Sequence, residues 1–600
     1  MSCVKVRISS PVKPFSCIEV QPEYLIQEPK DDFALPYISS IYSLHPKNLL
    51  AMDRRATIAT LLGKRPVATA APWVASGLEP YSGPWGYEQA AHLLRRAMFG
   101  PTYDQIKAAT SQGLGPTIGQ LFNSLPLPEP PLNYFFQDDP LVPVGQTWVD
   151  APYYNNVNVR GYRRQSLRAW TMELLLNEGV SIREKLTLFW HNHFAVSDVN
   201  DAHFLYKHIS LLRKYAWGSF RELVKEVTID PTMLRFLNGN QNTKNAPNEN
   251  FARELLELFT VGKGPLADSG DYTNYTEDDI REIARVLTGW RDVGFFSTNP
   301  DVPAGAIFRP FQHDTGPKQL SHRFNNTIIE DMGEQEYAHL IDVIFQQDEV
   351  ARFICRKLYR WFIYYVIDDS AEENVIQPMA QLLIDNNYEV RPALEALLGS
   401  AHFFDMLNVG PMIKNPLDFI MSAIKPFQVA FPAGLAARYN GYLRLFASSV
   451  LQQMEYFNAP QVAGWKAYYQ EPGYYRTWIN ATTLPIRMLV TDTIAVNGFP
   501  AGDFRIRIDP LSFVETIDNP NDPNALIDEF VRILFPQPIT DDQKAALREV
   551  LIPGLPDFEW TVEYNLYLAN PDDDELAEAV ATKLRQLIQA MLSMPEFYLS

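Results

Sequence analysis

Between Ser181 and Phe194 the residues Ile182, Leu186, Phe189, Trp190 and His193 recur at i, i+4, i+7, i+8 and i+11. That 3.6-residue period fits one face of an α-helix and excludes a strand. Ser181, with Glu184 three positions on, has the pattern of a capping box at the helix start. The same period returns along most of the chain. It predicts helices over 156–177, 202–215, 219–228, 248–260 and 276–288, and four more between Glu334 and Ser400. Further helices are expected over 417–429, 435–454, 480–497, 523–534, 540–550 and 573–593. Alternating, strand-like stretches are short and few, such as CVKVRI and CIEVQ near the start. The expected fold is a mainly α, multi-helix globular body with few short strands and long Pro- and aromatic-rich loops.

Six hundred residues exceed one ordinary domain. Three regions are expected: an N-terminal extension over 1–85, a helical core over 86–407 and a C-terminal helical part over 408–600. Hydrophobic residues make up 46% of the chain, enough for a sizeable core. The formal net charge of −19 argues against nucleic acid, because phosphate binding needs clustered Lys and Arg. No apolar run reaches the roughly 18–20 residues of a membrane span. Cys3, Cys17 and Cys355 are too sparse for a disulfide framework or a zinc cluster, and Cys355 reads as core. Arg54-Arg55 opens a segment like a twin-arginine export signal, but Lys64 and Arg65 interrupt its apolar part.

Potential ligands and acid/base groups concentrate in the middle. Four of the ten histidines lie between His191 and His208. The segment NENFARELLELFT (248–260) sets Asn250, Arg253, Glu254 and Glu257 on one helical stripe, beside an apolar stripe of Phe251, Leu255 and Leu258. Asn248 precedes them, at the end of a loop with six asparagines between 238 and 250. Far downstream, Tyr456–Trp478 holds two Trp, five Tyr and one Phe among Gly and Pro. Trp465, Tyr474 and Trp478 are candidates there for an aromatic platform facing a sugar ring or a partner. The alternative is a loop pinned to the core by its own rings.

Six motifs occur in order: HLLRRAMFG (92–100), WHNHF (190–194), NENFARELLELFT, TGW (288–290), HDTGPK (313–318) and PQVAGW (460–465). Together they resemble the bacterial family called domain of unknown function 1800, over roughly Tyr87 to Ser600. The resemblance implies an exported or envelope-associated protein. It also implies a partner from a second family, domain of unknown function 1501, which resembles the sulfatase and alkaline-phosphatase fold. Many members begin with a twin-arginine-like signal. This chain departs there, since about fifty residues precede Arg54 and its apolar segment is broken. Export together with a folded partner, or a cytoplasmic location, are the alternatives.

Two functions are consistent with these residues. The first is an accessory or assembly protein acting with a partner, or on carbohydrate or another envelope polymer. The second is a metal-assisted hydrolase or related enzyme. In it His191, His193, His313 and Asp314 hold a divalent ion such as zinc, iron or manganese, and Glu254, Glu257, His193 and Arg253 carry the chemistry. The same residues also fit a polar network that locks helices together. Arg253, on the glutamate stripe, is placed to neutralise both carboxylates.

Overall fold

The computed structural model describes residues 76–600, apart from 137, 138, 140, 156–158, 269 and 270. The expected N-terminal strands, Cys3, Cys17 and Arg54-Arg55 lie outside the described residues. The described residues fall in one compact unit, which is mainly α-helical.

The helices that build the centre are α1 (Tyr87–Ala97), α2 (Val159–Asn177), α3 (Arg183–His193), α4 (Ala202–Lys214), α5 (Glu249–Glu254) and α6 (Asp348–Phe362). A π-helical turn, Leu255–Thr260, continues α5. Farther on come α7 (Leu435–Leu451), α8 (Asp557–Ala569) and α9 (Asp574–Ser593). Their starts are written locally. Asp201 accepts from the N–H groups of His203 and Phe204 to cap α4, and Asp573 does the same for α9. Asp230-Pro231, Asn415-Pro416, Asp509-Pro510 and Asp522-Pro523 each place a capping oxygen before a proline. Proline suits the first turn because its missing N–H would have had no partner there.

One expected cap does not form. Helix α3 starts after Ile182, with no side-chain cap. Ser181 Oγ accepts only from Arg183 N–H. Glu184 turns inward instead and takes two hydrogen bonds from Arg213 of α4, at 2.7 and 2.8 Å. A buried guanidinium is a stronger claimant on a carboxylate than one backbone N–H.

Among the described residues the strands form four separate two-stranded antiparallel pairs. One of these hairpins, β1 (Phe499–Ala501) with β2 (Phe504–Ile506), turns through Gly502. Helix α7 packs along α2, so the late chain returns onto the early helical core. Cys355 is a free, buried thiol, pushed up in pKa by burial. Among the described residues no helix is long and apolar enough to cross a membrane.

Candidate functional site

The three polar residues of WHNHF leave α3 in three directions. His191 is fully buried and its Nε2 accepts a hydrogen bond from Phe457 N–H at 2.9 Å. The proton therefore sits on Nδ1, which has no hydrogen-bond partner among the described residues. The ring stacks on Tyr456, with centroids 4.8 Å apart. Burial and the neighbouring His208 hold His191 well below the ordinary imidazole pKa. Asn192 Oδ1 accepts from Trp465 N–H at 2.9 Å. Gly464, just before it, has φ +86°, and a Cβ there would lie 2.4 Å from Asn192 Oδ1 and 2.5 Å from the Asn192 carbonyl. Only glycine fits that approach. WHNHF and PQVAGW, about 270 residues apart, are thus two halves of one joint.

His193 points to the end of the π-helical turn, where the last carbonyls of a helix lack intrahelical partners. Its Nε2 lies 3.1 Å from the Phe259 carbonyl and its Nδ1 lies 3.1 Å from Lys357 Nζ of α6. The consistent assignment has Nε2–H donating to Phe259 and Nδ1 accepting from Lys357. Lys357 also donates to the Leu258 carbonyl at 2.8 Å. Burial, then Arg360, lower Lys357 to about 7. Burial, then Lys357, lower His193 well below its ordinary value.

The glutamates expected beside these imidazoles face elsewhere. Arg253 donates two hydrogen bonds of 2.8 Å to Glu277, not to Glu257. Glu257 accepts from the Tyr275 hydroxyl at 3.0 Å and has Lys263 at 4.0 Å. Glu254 is half-buried, and desolvation, then Glu257, raise its pKa. Asn248 caps α5 and donates to the Leu237 carbonyl. Asn250 is exposed. No hydrogen bond or ion pair links His191 or His193 to Glu254 or Glu257 among the described residues.

The expected metal set separates in the same way. His313 and Asp314 do not join His191 and His193. Asp314 takes hydrogen bonds of 2.8 and 3.1 Å from Arg285. His313 Nδ1 lies 2.9 Å from the Thr288 carbonyl and its Nε2 lies 3.0 Å from Glu336 Oε2. Although burial lowers it, the acceptors Glu336 and Thr288 outweigh burial and raise its pKa. Gly289, at φ +96°, passes so close that a Cβ would sit 3.2 Å from His313 Cβ. TGW and HDTGPK therefore form a second joint. It contains the one group of three or more His, Cys, Asp or Glu residues among those described that is compact enough for a metal: His313, Asp331 and Glu336. Lys318, the last residue of HDTGPK, puts its ammonium 2.5 Å from Glu336 Oε1, and both side chains are sealed from solvent. That fixed cation balances the carboxylate a metal would need.

Trp465, Tyr474 and Trp478 are buried. The aromatic segment spends these rings on the core, and they offer no platform to a sugar. Sequence reasoning did not find Lys357, Lys318, Glu336 and Asp331. Lys318 was legible as the end of a motif. The others carry no local signal, because Asp331 and Glu336 meet His313, and Lys357 meets His193, only through tertiary packing.

Fold and centre define the class: a mainly α-helical protein in which WHNHF meets the PQVAGW segment and TGW meets HDTGPK in buried, hydrogen-bonded joints. A family model described as "Protein of unknown function (DUF1800)" matches residues 92–599, and the chain belongs to that family. No curated protein and no solved structure shows a significant match.

Proposed function

We propose that this chain is an accessory or assembly protein that works by holding a partner protein. One observation carries the reading. Helix α8 exposes Phe558, Val562 and Leu566, at 60%, 50% and 49%, on a single i, i+4, i+8 face. Its opposite face is fully used, with Trp560, Tyr564 and Tyr567 buried and Trp560 donating to the Pro520 carbonyl. Leu555, just before the helix, is exposed as well. A helical apolar stripe of this spacing suits an apolar groove on another protein.

Charge selects the kind of partner. From Val550 to Thr582 the chain has eight carboxylates and no Lys or Arg; Arg548, Lys583 and Arg585 pair with Asp557, Glu563 and Glu578, and the other five have no ion pair among the described residues. A second copy docked two-fold on this face would set those carboxylates against one another. A groove rimmed with Lys and Arg would complement them. The family resemblance supports a partner of the domain of unknown function 1501 family, met at the cell envelope or outside the cell. The test is capture of that protein, from the same genome, on immobilised full-length chain. Phe558→Asp with Val562→Asp is expected to weaken capture at least about tenfold, each lost anchor being worth roughly 1 kcal/mol or more. Equal capture by variant and parent would overturn the reading.

A second reading keeps metal-assisted chemistry at His313, Asp331 and Glu336, the compact group described above. Lys318 weighs against it. Elemental analysis of protein purified without chelator separates the two. Near one equivalent of zinc, iron or manganese, lost in His313→Ala, would favour the metal.

A further inference from the structure

A cleft of about 960 Å³ opens in the C-terminal part, far from the motifs in sequence. Helix α9 forms one wall, presenting Ala577, Ala581 and Arg585 at i, i+4 and i+8. Phe504 and Arg505 of β2, with Arg507 and Ile508 after it, form another. Phe427 and Phe513 lie side by side in the lining, ring centroids 4.5 Å apart, and Phe504 stands partly exposed. A volume of this size with a mixed apolar and polar lining is typical of sites for small organic ligands.

The charges in the cleft are not evenly spent. Glu578 is held by Arg585 through two hydrogen bonds, at 2.7 and 2.9 Å. Asp509 is engaged by Leu511 N–H and the Ser512 hydroxyl at the start of a short helix. Arg505 and Arg507 are different. They sit two residues apart, and a Cβ at Gly498 would touch both of their Cβ atoms, at 3.1 and 3.0 Å. They therefore rise from the same face of the hairpin. Both line the cleft, and among the described residues neither guanidinium has a hydrogen bond or salt bridge, although Arg507 lies near enough to Glu578 to help lower its pKa. Asp574, on the opposite wall, is the remaining lining carboxylate.

We propose that this cleft binds a small anionic amphiphile, its carboxylate or phosphate head held by Arg505 and Arg507 and its apolar body lying along Phe504 and Leu511, over the buried pair Phe427 and Phe513. Two neighbouring guanidiniums present several donors to one anionic head. The aromatic floor explains why a head alone would not suffice.

The test is calorimetric titration of the full chain with octanoate, octyl phosphate, 1-octanol and acetate, each below its aggregation limit. Octanoate or octyl phosphate is expected to bind at least about tenfold more tightly than 1-octanol, the scale of charge-assisted hydrogen bonds. The tighter of the two identifies the head group. Acetate is expected to give no heat of binding. Arg505→Ala with Arg507→Ala should remove the preference for the anion, bringing octanoate and octyl phosphate to the affinity of 1-octanol. Both side chains are exposed, so an unchanged thermal melt is expected for the variant. Asp574→Asn should tighten anion binding by a few-fold. No binding of either anion, or equal binding by the double variant, would overturn the proposal. Neither result depends on partner capture by α8.

Discussion

The centre of the molecule and its α8 end use polar and apolar residues in opposite ways. At the centre, histidines, asparagine and lysine are drawn inside, and each one that has a partner serves to join distant segments. At α8, Phe558, Val562 and Leu566 stand in solvent on one face of the helix. The motif-rich region is therefore built for internal cohesion, and the motif-poor region has the features of a contact surface. Density of chemically capable residues marks, in this chain, where the fold is most constrained.

The largest expected effect that would break this contrast lies at the centre. Arg213→Met leaves Glu184 buried with its main partner gone, both side chains being about 1% exposed in the parent. Loss of one member of such a pair costs about 3–5 kcal/mol, to be read by denaturant unfolding. A shift below 1 kcal/mol would mean that water replaces the guanidinium and the centre is looser than described. Next comes Gly464→Ala, where positive φ and the 2.4 Å approach to Asn192 act together; about 1–3 kcal/mol of destabilisation is expected. Adding Asn192→Ala should not rescue it, because the Asn192 carbonyl remains 2.5 Å from the new Cβ. Rescue would show that the joint is held by the side chain alone.

A subtler effect is in pH. The Lys357 amine falls to about 7 in the folded chain, from an ordinary 10.5. Between those values the unfolded chain binds a proton there that the folded chain has released. Stability from this group therefore rises with pH across about 7 to 10.5 and is lost again on acidification. The difference in unfolding free energy between the parent and Lys357→Met should rise over that window and be flat below it. A difference that is flat throughout would show that Lys357 stays charged beside His193.

Much of the helical pattern was legible, because apolar period and Asp-Pro or Asn-Pro starts are local facts. The roles of the central polar residues were not. The stripe of 248–260 was read correctly as half-polar, yet Arg253 chose Glu277 over Glu257, and a π-helical turn altered the register after Glu254. Pairings across twenty or more residues cannot be read from spacing on one helix. Helix α8 escaped sequence reading altogether. Its sequence, DFEWTVEYNLYLA, is apolar on both faces, so no polar stripe sets its period. The property that hid it is the one that now suggests a docking face.

The smallest expected effect on stability belongs to that face. Phe558→Asp with Val562→Asp replaces side chains already in water, so unfolding free energy should stay within about 0.5 kcal/mol per site. Capture of the domain of unknown function 1501 protein by this variant, measured beside its thermal melt, is the most direct trial of the contrast. The account expects an unchanged melt with capture lost. An unchanged melt with capture intact would contradict it.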